Sequence, residues 1–278
     1  MNTTTHLAGK QLIVCADDFA QSAEIDAGII TLIEQGKLSA TSCMTLSPRW
    51  QQAAKSITAS IRMKADIGLH LDLTRFNPSY SLATLIFLAE TRGLSSQHIY
   101  RTINQQLDSF EESLGTAPDY VDGHQHVHQL PQIRDALLHT LTQRYRSHLP
   151  WIRIAKPPAH DGLKAIIIGA LGANALTRQT RKLGFKHSCL LLGVYGFTGN
   201  SKDYLANLEN WFRIAARHTN SGIPVLMCHP AKQMTFFNNA HDDPIYSART
   251  NEFEIINSEH FAALLNQNGL KMVRGSAL

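Results

Sequence analysis

Apolar residues in this chain alternate between two rhythms. Short β-rich runs cover residues 11–16 (QLIVCA), 41–46, 66–71 (DIGLHL), 120–122, 151–155, 190–194 and 223–228 (IPVLMC), and each is predicted to be a buried strand. Between them, apolar positions recur at helical spacing. Ile25, Ile29, Leu32 and Ile33 mark a helix over 22–34, with Gly36 where a C-terminal cap is expected. Ile99, Ile103, Leu107, Phe110 and Leu114 form one stripe of a long helix. Pro131 opens another, at a position that tolerates proline. Further helices are predicted over 50–59, 162–183 and 204–218, and a last one runs from Ser258 to near Gly269. Residues 76–91 and 236–247 read as long loops that could cover a site.

About seven strand–helix units follow one another, with no internal repeat and no obvious linker. That order predicts an α/β fold: a single (β/α) barrel-like domain over residues 1–278, irregular, with parallel strands and outer helices. Neither GxGxxG nor GxxxxGK[ST] follows the first strand, which argues against a nucleotide-binding domain.

Composition narrows the partners. With 278 residues and 44% hydrophobic content, the chain is long enough to bury a large core. The net charge of +4 comes from scattered Lys and Arg rather than a basic run, so nucleic acid is not an expected partner. Four cysteines (Cys15, Cys43, Cys189 and Cys228) make no CxxC pair, and three of them lie in apolar runs, as buried thiols do. No apolar stretch reaches the roughly 20 residues a membrane span needs. The first residues lack the pattern of a secretion signal. The expectation is a cytoplasmic location without membrane insertion, with homodimerisation left open.

The candidate chemistry clusters where the predicted strands end. The first ends in Asp17–Asp18, the third carries His70, and the fourth runs into Asp122-Gly123-His124-Gln125-His126-Val127-His128. The fifth holds Arg153 and a late one ends in Cys228-His229-Pro230. In a parallel βα protein these ends converge on one rim. Each element has two readings. Adjacent buried carboxylates repel unless a cation lies between them, but the pair could equally cap a helix. His70 could be a ligand or a core histidine. If extended, the HQHVH stretch would set three imidazoles on one face, suited to a transition metal; otherwise it is a surface accident. His229 suits acid–base work, and Cys228 lacks the context of a nucleophile. No GxSxG is present.

Taken together, Ala16-Asp17-Asp18-Phe19, Gly68-Leu69-His70-Leu71, Asp122 to His128 and Cys228-His229-Pro230 resemble, in order, the YdjC family of carbohydrate deacetylases. That family includes chitooligosaccharide deacetylases and hopanoid-biosynthesis-associated members. The stretches at Asp243-Pro244 and from Arg249 to Glu252 also look familial. The resemblance implies a metal-dependent hydrolase that removes the N-acetyl group of an amino sugar or oligosaccharide by attack of a metal-bound water. Asp18, His70 and His124 would hold one divalent metal, Mg or Zn foremost, with Mn, Co or Ni also suited. Asp17 would be the base and His229 the acid. His126, His128 and Arg153 would contact substrate or support the ligands, with Arg153 orienting Asp17. The implied partner is an acetylated amino sugar. Another metal-dependent amidohydrolase or phosphoesterase, or a silent carbohydrate-binding homologue, would share these residues. Ala20 in place of the family's usual glycine, Gly123 in place of serine, and Ile-Ala-Lys after Arg153 depart from the pattern.

Overall fold

The computed structural model describes residues 10–77, 79–158, 161–218, 222–233 and 243–278. Its elements run β1 (Lys10–Phe19), α1 (Ala23–Glu34), β2 (Ala40–Cys43), α2 (Trp50–Ala53), α3 (Ala59–Lys64), β3 (Asp66–Leu71), α4 (Leu82–Glu90), α5 (Ser96–Leu114), β4 (Tyr120–Gly123), α6 (Ile133–Arg144), β5 (Trp151–Ile152), α7 (Leu163–Ala170), α8 (Ala173–Leu183), β6 (Leu191–Leu192), α9 (Ser201–Arg217), β7 (Val225–Cys228), α10 (Tyr246–Asn257), α11 (Glu259–Gln267) and β8 (Leu270–Met272).

Every strand pairing is parallel, in the order β5-β4-β3-β2-β1-β7-β6. β8 pairs with the start of β1, at Lys10 to Leu12, below the stretch from Ile13 to Ala16 that pairs with β7. The outer edges approach each other: Ile152 bridges His187, and Leu191 N–H donates to the Lys156 carbonyl at 3.1 Å. The sheet therefore curls into the expected (β/α) barrel-like form.

The period of two in the strands sorts side chains into two layers. Leu12, Val14 and Ala16 of β1, Ile67, Leu69 and Leu71 of β3, and Leu226 and Cys228 of β7 pack outward against the helices. Ile13 and Cys15, with Tyr120, Trp151, Leu191, Val225 and Met227, fill the interior. Tyr120 and Trp151 stack there at 4.3 Å. Gly68 lies at this layer because a Cβ would collide with the Tyr120 ring.

Several helices differ from expectation. The predicted helix over 50–59 breaks into α2, a 3-10 turn and α3. The one over 162–183 splits at Gly172, whose φ of +132° no side chain favours and where a Cβ would collide with the Gln129 carbonyl. The predicted loop over 76–91 contains α4, an apolar helix capped by Ser81. Of the predicted loop over 236–247, residues 236–242 lie outside the described residues, and α10 begins at Tyr246. α10 escaped the pattern because it buries Arg249 and Glu252 alongside Ala248 and Ile256, so its inward face is half polar. Among the described residues, no helix is long and apolar enough to cross a membrane. Cys15, Cys43 and Cys228 are buried free thiols.

Candidate metal centre and active site

The interior column of each strand carries the site. In β1 it runs Ile13, Cys15, Asp17; in β3, Asp66, Gly68, His70; in β4, Tyr120, Asp122. At β5 it runs Trp151, Arg153, and at β7 Val225, Met227, His229. Alternation thus places an apolar residue below and a polar one above on most of these strands. Asp18 would by this rule face outward. A bulge in the β1–β2 register between Ala16 and Phe19, with Asp18 at φ +67° and Ala20 at φ +78°, brings it inward. The turn is held by Ala20 N–H donating to Asp26 Oδ1 (2.6 Å) and Ser47 Oγ donating to the Ala20 carbonyl (2.6 Å). The helix-cap reading of the aspartate pair is incorrect, because Ser22 caps α1 by accepting from Ile25 N–H.

Asp18 Oδ1 lies 3.1 Å from His124 Nδ1 and 3.4 Å from His70 Nε2. One donor atom from each of these three residues falls within 4.8 Å of the others. In His70 and Asp18 the other polar atom is engaged elsewhere. His70 Nδ1 is 2.6 Å from Asp122 Oδ1, and Asp18 Oδ2 accepts from Arg249 Nη2 at 2.7 Å. Converging donor atoms from two imidazoles and a carboxylate are a set that fits a divalent cation with open positions. Burial disfavours charge on His70, but Asp122 and Asp17 outweigh it and hold its pKa up at about 10. Asp18 is likewise opposed by burial, yet Arg249 and the histidines keep its carboxyl well below the ordinary range.

Cys15, Asp17 and Asp122 form a second close group. Here the cation is the protein's own. Arg153 Nη1 lies 2.5 Å from Asp17 Oδ1, 3.0 Å from Asp122 Oδ2 and 3.4 Å from Cys15 Sγ, while Nη2 donates to Asp17 Oδ2 at 2.7 Å. Burial would raise the Asp17 pKa, but Arg153 and then His70 override it and hold the carboxyl far below its usual value.

The HQHVH stretch is not extended, so its imidazoles do not share a face. Gln125 and His126 take positive φ (53° and 62°), and the chain winds through a distorted 3-10 segment. His124 turns to Asp18, and His126 lines the cavity. His128 is fully buried, its Nε2 2.8 Å from the Arg153 carbonyl, and burial lowers its pKa to about 4. His229 stands edge-on to Phe197, its ring centroid 5.1 Å away, and burial lowers its pKa to about 4. Its backbone N–H donates to Glu252 Oε2 at 2.5 Å.

All the predicted residues except His128 and Arg153 line one cavity of about 670 Å³. Sequence reasoning assigned no role to Ser42, Asp122, Asp243, Arg249 or Glu252. Ser42 Oγ reaches both His70 Nδ1 (3.1 Å) and Asp17 Oδ1 (3.4 Å). Strand parity was the available signal for Ser42 and Asp122; for Asp243, Arg249 and Glu252 it was the family resemblance of their stretches, since the half-polar inward face of α10 offers no periodic pattern.

A family model described as YdjC-like protein matches residues 11–267. The chain belongs to the YdjC-like family. A carbohydrate deacetylase of Geobacillus stearothermophilus is 29% identical over 156 residues, 53% of this chain and 62% of that one. A chitooligosaccharide deacetylase of Serratia marcescens is 32% identical over 135 residues, 45% of this chain and 53% of that one. The matched region thus spans 53% to 62% of the length of these two relatives. A carbohydrate deacetylase of Halalkalibacterium halodurans strain C-125 matches more extensively, 28% identical over 80% of this chain and 85% of that one. Among solved structures, a protein of Enterococcus faecalis V583 named for cellobiose-phosphate cleavage superposes with a TM-score of 0.74 at 18% identity, covering 97% of this chain and 99% of that one. A family 4 acetyl xylan esterase from Clostridium thermocellum, in complex with a cobalt ion, gives 0.50 at 11% identity, covering 95% of this chain and 88% of that one. At such identities the likeness is one of fold.

Proposed function

We propose that this YdjC-like chain is a metal-dependent carbohydrate deacetylase that hydrolyses the acetamide of an amino sugar. One observation carries the reading: the donor atoms of Asp18, His70 and His124 converge beside an arginine-held carboxylate and a buried imidazole, in a single cavity. Asp18, His70 and His124 would hold the metal, and the names of the deacetylase relatives supply the substrate class. When bound, the cation would supply Lewis acidity toward the acetamide oxygen and the attacking water.

The chain's own groups do the rest. Arg153 holds both oxygens of Asp17, so the carboxylate is ionised and oriented to take a proton from water. The water oxygen bonds to the acetyl carbon, the carbon–nitrogen bond breaks, and the proton that Asp17 took from the water passes by way of His229, neutral in the resting site because burial lowers its pKa to about 4, to the departing nitrogen, leaving acetate and an amine. Asp122 holds His70 in the tautomer that presents Nε2. His126 lines the cavity and is placed to touch substrate.

The cavity floor is polar, but one wall is aliphatic: Leu82 and Ile86 of α4, Leu163, Ile167 and Ile168 of α7, and Leu171 just after it. Sugar hydroxyls would lose hydrogen bonds to water against such a wall without replacement. The acetamido sugar occupies the floor, and an apolar part of the substrate lies against the wall.

The test is acetate release from a panel of N-acetylated sugars and glycosides by metal-loaded protein. Asp17→Asn is expected to abolish release while metal stays bound. No release from any substrate by a metal-loaded protein would reject the reading.

A further inference from the structure

α10 reaches the site twice within one turn. Arg249 donates from Nη2 to Asp18 Oδ2 (2.7 Å) and from Nε to Asp243 Oδ2 (2.6 Å). Three residues later, Glu252 accepts the His229 backbone N–H at Oε2 (2.5 Å) and the Tyr195 hydroxyl at Oε1 (2.6 Å). Glu252 is 1% exposed, and both of these donors are uncharged groups. Burying a carboxyl on neutral donors is costly, and burial indeed drives its pKa up to about 7. A helix serving only to cover the barrel would put an aliphatic residue there. The position also matters along β7, because Pro230 has no N–H and the His229 N–H is the donor nearest the acid.

We propose that Glu252 is a positioning residue for His229, fixing its backbone so that the imidazole faces the ligand carboxylate Asp18, which the same helix holds through Arg249. The proposal rests on the reading of His229 as the acid. Because i and i+3 project from one face of a rigid helix, the spacing between acid and metal ligand is set by α10 rather than by the loop after β7.

Two substitutions separate position from charge. Glu252→Gln keeps the length, with a carbonyl for the His229 N–H and an amide that donates to the Tyr195 oxygen. Glu252→Asp keeps the charge but withdraws it by one methylene. Positioning predicts that Glu252→Asp loses about tenfold or more in kcat beyond Glu252→Gln, with KM and metal affinity within about twofold in both. A carboxyl acting as charge or proton carrier predicts the reverse order, and that order would overturn the proposal. The readout independent of turnover is the side-chain 15N spectrum of the metal-loaded protein. Glu252→Asp should move the His229 resonances and leave those of His70 and His124. An unmoved His229 would overturn the proposal even if no acetylated sugar were ever turned over, whereas wild-type inactivity with a moved His229 would reject only the deacetylase reading. If Glu252→Asp does not fold, Tyr195→Phe is read by the same spectrum: a shifted His229 supports positioning and an unshifted one rejects it.

Discussion

Arg153 and Asp17 meet through two parallel contacts, Nη1 to Oδ1 at 2.5 Å and Nη2 to Oδ2 at 2.7 Å, and both side chains are buried. The planar fork matches both carboxylate oxygens, which a lysine ammonium cannot do. Arg153→Lys is therefore expected to lower kcat by about 100-fold and to destabilise the fold by about 3 kcal/mol, with metal affinity little changed. Acetate release, calorimetric metal titration and urea denaturation would check the three parts. An unchanged kcat would remove this ion pair from the chemistry.

Metal loading should expel a proton. Before metal binds, His70 is held protonated by Asp122 and Asp17 against the cost of burial, with a pKa of about 10. A ligand imidazole must be neutral, so binding at pH 7 should release about one proton per metal. Titration calorimetry in buffers of different ionisation enthalpy measures this directly, and buffer-independent heats would contradict it. Asp122→Asn should weaken metal binding by about 10- to 100-fold.

The metal-free protein should lose stability on acidification. Burial lowers the pKa values of His128 and His229 from 6.5 to about 4. Between those values the unfolded chain binds protons that the folded one refuses, so stability falls as pH drops from 6.5 toward 4. Each group contributes on the order of 3 kcal/mol at full effect. His70 acts oppositely: its raised pKa contributes stability below 6.5 that is lost as pH rises toward 10. Glu252, whose pKa burial raises to about 7, works with His70 against the two histidines between 7 and 4.5, one group against two below 6.5, so urea denaturation of chelated protein should show a maximum near pH 6.5. A midpoint that does not change between pH 7 and pH 5 would show that the histidines are not buried neutral.

Ala20 occupies a left-handed conformation at φ +78°, at the position where the family usually has glycine. The strain costs roughly 1–2 kcal/mol for a residue with a Cβ. Glycine removes it but frees the unfolded chain by about 0.4–1 kcal/mol. Ala20→Gly is expected to stabilise the protein by about 0.5–1 kcal/mol, read as a rise in the urea midpoint at constant slope; a lower midpoint would mean the Ala20 methyl is worth more in packing than it costs in strain.

The aliphatic wall should discriminate among glycosides. A hexyl N-acetylglucosaminide should exceed its methyl counterpart in kcat/KM by about tenfold or more, since each buried methylene contributes about 0.8 kcal/mol. Ile167→Asn should shrink that ratio without altering the methyl glycoside. Equal kcat/KM for the two glycosides in the wild-type protein would mean the wall does not contact substrate.

Much of this architecture was legible in the residues. Strands at 66–71 and 120–122, the α5 stripe, and Ser22 to Glu34 appear where the periodicity places them, because local apolar spacing suffices to bury one face. The ordered motifs located Asp17, Asp18, His70, His124 and His229 at strand ends, and a parallel barrel brings such ends together whatever lies between. Other features depend on contacts across the sheet. That Asp18 faces the interior beside Asp17 follows from a bulge against β2, not from alternation. That HQHVH folds into a turn, with His128 under the Arg153 carbonyl, follows from its packing against the β5 exit. The stretch from Arg249 to Glu252 stood out only by family resemblance and without a role, because a charged residue on a helix ordinarily faces water, and only tertiary structure supplies the buried partners, Asp18 and the His229 backbone, that keep them inside. The sequence by itself determined the layers and the inventory of candidate site residues. The tertiary structure decided which atoms of His70 and Asp18 turn toward the cavity, because that depends on Asp122 and Arg249, partners far away along the chain.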